Sequence, residues 1–200
     1  MRKLLIVGVA MLLSLPAAAS AHRLDEYLEA AILSVESGRV DGSMRLVPGV
    51  AVAPAVTSSI DANHDGLLSD AEQQAYILRV LKDVSLSAGG QPLQLGVVSA
   101  DFPPIDAMKQ GVGEIRINFT AGMPSGGASH RLVFENHHQS NIAVYLVNSL
   151  VPNDKTIQIT AQNRVFVVAE PILSGRLAVI FTELGPRFFA PIDRYHLLRS

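Results

Sequence analysis

Apolar residues recur at every second position through most of the chain, and at helical spacing in one short stretch near residues 55–83. The period-two runs predict strands. Glu26 to Glu36 and Arg39 to Val47 meet at Ser37-Gly38, with Tyr27, Ala31, Leu33 and Val35 facing Val40, Met44 and Leu46, as in a hairpin. Ser85 to Ser87 and Pro92 to Ser99 flank Ala88-Gly89-Gly90-Gln91, a second hairpin signal. Phe102-Pro103-Pro104 breaks regular structure, and Glu114 to Thr120 alternates like a half-buried strand. A Gly/Pro/Ser loop from Gly122 to Gly127 precedes Arg131–Glu135, Ile142–Val147, Thr156–Thr160, Arg164–Val168 and Arg176–Thr182. Short strands bounded by turn residues predict a mainly β fold, an antiparallel β-sandwich of eight to ten strands.

The helical stretch interrupts this pattern between the second and third strands, as an insertion at 50–84. Pro54 stands where helices begin, and Ala55 to Ile60 predicts a short helix weakened by its β-branched residues. A longer helix is expected from about Ser69 to Asp83, because Ser69-Asp70-Ala71-Glu72 has the form of a capping box. Behind it Ala71, Ala75, Leu78 and Leu81 fall on one face, Tyr76 and Val80 widen that stripe, and Gln73, Gln74, Arg79 and Lys82 face outward.

Arg2 and Lys3, the apolar run Leu4–Leu15, Pro16 and the small-x-small triplet Ala19-Ser20-Ala21 read as a signal peptide over residues 1–21. Cleavage after Ala21 would make His22 the mature N-terminus and leave residues 22–200 as one domain. That apolar run is short for a membrane span, and no later run approaches eighteen residues. The expected compartment is the periplasm or the medium beyond it. With no cysteine the chain cannot use disulfides, so a core of about 180 residues must stabilise it. The formal charge is −2, and −4 once Arg2 and Lys3 are removed. That balance lacks the basic footprint of a nucleic-acid binder.

Between the two helices lies Asp61-Ala62-Asn63-His64-Asp65-Gly66-Leu67-Leu68-Ser69-Asp70-Ala71-Glu72. A hard cation such as Ca²⁺ needs six to eight oxygens, which a curling loop presents at alternate residues. Asp61, Asn63 and Asp65 offer side-chain oxygens, Leu67 its carbonyl, and Ser69 a hydroxyl, directly or through water. Glu72 is long enough to close the site with both carboxylate oxygens. Gly66 permits the sharp turn, and Leu68 points an apolar side chain inward. The segment from about Pro54 to Asp83 resembles an EF-hand, which implies Ca²⁺ held by Asp61, Asn63, Asp65, Leu67, Ser69 and Glu72. An Asx-rich turn without metal, or an EF-hand that keeps its shape without binding, would use many of the same residues. EF-hand loops normally pair, and no second loop is visible. The lone unit must therefore dock on the sandwich or pair across a homodimer.

Other chemistry is sparse. A free His22 would combine an α-amine with an imidazole, a chelate suited to Cu²⁺, although the remaining ligands are not placed by the sequence. His137-His138 sits in a polar stretch between strands and reads as surface loop. The first mature residues, together with Leu46-Val47-Pro48-Gly49-Val50 and Val144–Pro152, resemble the extracytoplasmic N-terminal region of proteins related to hydrogenase and urease accessory nickel permeases. That resemblance implies an exported domain in a metal-transport setting. It does not carry transport over, because those permeases continue into membrane helices. Catalytic motifs are not found: there is no Gly-x-Ser-x-Gly, His-Glu-x-x-His or phosphate loop, and Asp101, Asp106 and Glu114 are scattered. The expected function is calcium binding without catalysis and with an unknown protein partner. The alternatives are a transition-metal (Cu/Ni) handling module using His22 and an adhesion or assembly module presenting a sheet edge.

Overall fold

The computed structural model describes residues 25–124, 129–169 and 172–183. The signal-peptide segment and His22 lie outside them. Among the described residues ten strands form two five-stranded sheets, so the fold is mainly β.

The first hairpin forms as its pattern requires. Strand β1 (Tyr27–Glu36) and β2 (Arg39–Pro48) pair antiparallel from Glu36↔Arg39 to Tyr27↔Pro48, and burial alternates residue by residue along both. The inward positions of β2 include Gly42, over which the ring of Phe119 lies. A Cβ there would fall 2.1 Å from that ring. The close approach lets a large aromatic fill the space a missing side chain leaves.

Helix α1 (Ala53–Ile60) follows, burying Ala53, Val56, Thr57 and Ile60 at the spacing of one helical face. The buried Thr57 hydroxyl is satisfied by donating to the Ala53 carbonyl at 2.8 Å. Helix α2 (Asp70–Lys82) begins at the Ser69 cap and ends at Asp83. Its buried face is Tyr76, Ile77 and Val80, with Leu81 partly covered. This corrects the expected stripe: Ala71 and Ala75 are exposed, and Leu78 is 58% exposed. The helix is turned by about one residue because Tyr76, Ile77 and Val80 together bury far more area than two alanines and a leucine.

Strand β3 (Val84–Ala88) turns at Gly89-Gly90 into β4 (Gln91–Pro92), which pairs only at Ser87↔Pro92 and Ala88↔Gln91. The expected strand from Pro92 to Ser99 is therefore two pieces. Proline ends the ladder for want of an N–H, and the chain crosses to the other sheet as β5 (Gly96–Asp101). After Pro103-Pro104 a short helix α3 (Ile105–Lys109), absent from the sequence expectation, buries Ile105 and Met108 and packs on α1.

Strands β6 (Ile115–Gly122), β7 (Ser129–Asn136), β8 (Ala143–Ser149), β9 (Ile157–Ala169) and β10 (Ile172–Glu183) complete the sheets. Thr156–Thr160 and Arg164–Val168 join in the single strand β9, and the irregularity between them survives as a register shift opposite Ile180/Phe181. One sheet runs β5-β6-β2-β1-β8 and the other β4-β3-β7-β10-β9. Every described pairing is antiparallel except β1 with β8, which is parallel. The chain reaches β8 from β7, in the opposite sheet, and no hairpin dictates its direction.

A single hydrophobic cluster draws on both sheets and the helices: Leu33, Met44, Ile117 and Phe119 from one sheet, Leu86, Leu132 and Phe134 from the other, and Ile60 and Tyr76 from the helix pair. Phe119 and Phe134 stack across it with ring centroids 6.4 Å apart. The helix pair is thereby seated on the β core.

Candidate metal centre

The loop between α1 and α2 is organised by its own carboxylates. Asp61 caps the end of α1 and is only 7% exposed, and its two carboxylate oxygens accept from the amides of Asp65 (3.2 Å) and Gly66 (3.0 Å). Asn63 Oδ1 accepts from the Asp65 amide at 3.0 Å, and Asp65 Oδ1 from the Leu67 amide at 2.8 Å. Asn63 and Asp65 thus each order the residue two ahead, the side-chain turn that Asn and Asp make readily, while Asp61 reaches four and five residues ahead. Gly66, at φ +81°, takes the bend.

Glu72 closes the ring from the other side. Its Oε1 accepts from the amides of Ala62 (2.8 Å) and Asn63 (3.3 Å), ten and nine residues back, while Oε2 accepts from the Ser69 amide and hydroxyl at 3.0 and 2.7 Å. With the Ser69 oxygen accepting from the Glu72 amide, both halves of the expected capping box are present. The Ser69 hydroxyl, then its amide, and the Asn63 and Ala62 amides hold the Glu72 carboxyl below its usual range. It stays ionised in mildly acidic solution.

The structure therefore ties Asp61, Asn63, Asp65, Ser69 and Glu72 together along one loop through bonds to its own backbone, with the Leu67 amide bonded to Asp65 and the Leu67 side chain 71% exposed. Among the described residues no three His, Asp or Glu side chains stand together as a ready-made metal cluster. The loop's donors are of mixed kind: three carboxylates, an amide, a hydroxyl and a carbonyl. That all-oxygen set suits a hard cation, and the three carboxylates already face loop amides from opposite ends.

In place of a second loop, the segment 102–106 lies beside this one. Gly66–Leu68, Gln73 and Phe102–Asp106 line a cleft of about 400 Å³, and Leu68 packs against the core as expected. Phe102 meets the Tyr76 ring edge-on at 6.1 Å.

The histidine pair divides. His137 is exposed, but His138 is 4% exposed, which corrects its reading as surface loop. Its amide donates to Asn136 Oδ1 at 2.9 Å, its carbonyl accepts from the Tyr145 hydroxyl at 2.6 Å, and both ring nitrogens are engaged. Nδ1 lies 2.8 Å from Asp83 Oδ2 and Nε2 lies 3.1 Å from the Tyr76 hydroxyl, which in turn meets the Tyr27 hydroxyl at 2.6 Å. Burial holds the imidazole below its usual range, and Asp83 offsets only part of that. The neutral ring donates from Nδ1 to the Asp83 carboxylate and accepts from Tyr76 at Nε2. With no lone pair to spare, it is not a metal ligand in this arrangement. Sequence reasoning missed this cluster altogether. Its one signal was Glu29, a carboxylate at an inward position among Tyr27, Ala31, Leu33 and Val35.

No protein-family model and no curated protein matches the chain.

Proposed function

We propose that residues 61–72 bind one Ca²⁺ as a lone EF-hand inserted in a β-sandwich, and that the ion fixes the α1–α2 pair on the sheets in an exported protein without catalytic activity. The observation that carries this reading is the paired closure of the loop. Asp61, Asn63 and Asp65 order its first half, and Glu72 reaches back across ten residues to the amides of Ala62 and Asn63. Asp61, Asn63, Asp65, Ser69 and Glu72 would hold the ion with side-chain oxygens, and Leu67 with its carbonyl.

The role is structural rather than that of a sensor. A sensor needs a helix face that opens, whereas Tyr76, Ile77 and Val80 are already committed to the core. The N-terminal pattern of residues 1–21 supports export, into a compartment where millimolar calcium suits a weak site. Among the described residues no helix is long and apolar enough to cross a membrane.

Calorimetric titration with Ca²⁺, alongside melting curves of the protein and of Asp61→Ala and Glu72→Ala, tests the proposal. One site and a calcium-dependent rise in Tm, lost in both variants, is the expected result. A melting curve indifferent to millimolar Ca²⁺ sinks it.

A further inference from the structure

Glu29 occupies the middle of β1 on the face that carries Tyr27, Ala31, Leu33 and Val35 inward, and it is 1% exposed. Its Oε2 accepts from Asn136 Nδ2 at 2.7 Å, while Oε1 is buried with no hydrogen-bond partner. Asn136 is oriented, because its own Oδ1 is held by the His138 amide. Tyr27 faces Glu29 from the same strand, Tyr76 and Asp83 from α2 and its C-terminal end, Asn136 from β7 and Tyr145 from β8, and the His138 amide from the following loop holds Asn136. None of these is a cation at neutral pH. The nearby positive groups, Arg79 and Lys82, line the outer cleft of about 310 Å³ with Asp83 and Gln139, and Arg79 is spent on the Tyr76 ring and the Ser59 carbonyl. A bare carboxylate in such a place is strongly disfavoured, and the group neutralises instead.

A hydrogen-bond chain runs from the surface as far as Tyr27. Asp83, 42% exposed at its side chain, accepts from His138 Nδ1. His138 Nε2 accepts from Tyr76, and Tyr76 accepts from Tyr27, two residues from Glu29 on the same face.

We propose that Glu29 is a proton-binding site that latches α2. Its carboxyl group is held as a neutral acid with the proton on Oε1, and on losing that proton it admits water and loosens the C-terminal half of α2 from the sheets.

Two further facts agree with it. Burial raises the Glu29 carboxyl to about 8, with Asn136 opposing and Asp83 adding to the rise. Burial also keeps the hydroxyls of Tyr27, Tyr76 and Tyr145 above their ordinary value and His138 below its own, so Glu29 is the member of the cluster that changes charge just above neutral pH. The element that gives way is α2, because it supplies Tyr76 and Asp83 and borders the cleft through which water would enter.

Infrared difference spectra of the protein between pH 6 and pH 9, recorded in chelator to exclude any metal effect, read the proton directly. A protonated-carboxyl stretch present at pH 6, lost by pH 9 and missing from Glu29→Gln is expected. Amide exchange of α2 peptides, corrected for intrinsic rates, should rise over the same range in the protein and stay level in Glu29→Gln. If that variant does not fold, the wild-type protein labelled with carboxyl-¹³C glutamate identifies the band by its isotope shift. No such band at pH 6 overturns the proton site. A band that disappears while α2 keeps its protection overturns the latch.

Discussion

The loop at 61–72 and the cluster around Glu29 are built from the same chemical groups under opposite conditions. In the loop, carboxylates and an asparagine amide bond to backbone within ten residues, and Asn63, Asp65, Ser69 and Glu72 are open or partly open to water. The buried cluster gathers Glu29, Asn136, His138, Tyr27, Tyr76 and Tyr145 from four elements and a loop, with partners up to 107 residues apart. Water and adjacent amides let Glu72 keep its charge; burial without a cation takes it from Glu29. Glu72 thus keeps a charge that the proposed Ca²⁺ site would use, and Glu29 is the group proposed to hold a proton.

The largest separation between the regions should come from replacing the same residue type in each. Asn136→Ala leaves both Glu29 Oε2 and the His138 amide buried without a partner, and should cost about 3 kcal/mol. Asn63→Ala in metal-free protein should stay within about 0.5 kcal/mol, as exposed substitutions do. Urea denaturation of the two variants measures both; equal losses would abolish the distinction.

Next in size is the response to pH. A carboxyl raised to about 8 from about 4.5 contributes stability that is fully present below pH 4.5 and lost as pH rises through 8, because the unfolded chain releases its proton first. His138, depressed when folded, acts in the reverse sense, so its contribution falls away as pH drops below about 6.5. Of these two groups, Glu29 is the one that acts between pH 6.5 and 8. Unfolding free energy should decline there by up to about 1.4 kcal/mol per pH unit, and Glu29→Gln should flatten that decline. An unchanged slope in the variant would place the effect elsewhere.

The loop should answer to calcium instead. A site near 10⁻⁴ M in millimolar Ca²⁺ adds about 1.4 kcal/mol. Mg²⁺ should add less, because it demands a smaller octahedron and gives up water reluctantly. Competition titration ranks the two ions, and tighter Mg²⁺ binding would count against this geometry.

Smallest is the cap. Ser69→Ala removes the side-chain oxygen at the start of α2 and should cost about 1 kcal/mol in chelator, read from the thermal midpoint. A loss as large as that from Asn136→Ala would mean that the loop is more tightly coupled to the core than its exposure implies.

Much of the molecule was legible in residue order. Alternation marked β1, β2, β6 and β7, and the capping box marked the start of α2, because each depends on neighbours a few residues away. Short-range pattern failed where two faces competed. Ala71, Ala75 and Leu78 offered one stripe on α2, but Tyr76, Ile77 and Val80 made the contact, since the surface they meet comes from the sheets. The helix α3 went unseen because five residues after a Pro-Pro break carry too little periodicity to register.

By itself the sequence determined the mainly β character, the place of the helix pair between β2 and β3, and the capping box at the start of α2. All three follow from local periods and from side chains that act on backbone a few residues away. Only the tertiary structure decided that β1 lies parallel to β8, that the chain divides into two five-stranded sheets, and that Glu29 and His138 are shut away from water. Those outcomes rest on partners far apart in the chain, such as Tyr27 beside Ala143 in the β1–β8 register and Asn136 bonded to Glu29 107 residues away, whose approach is set by packing the whole core.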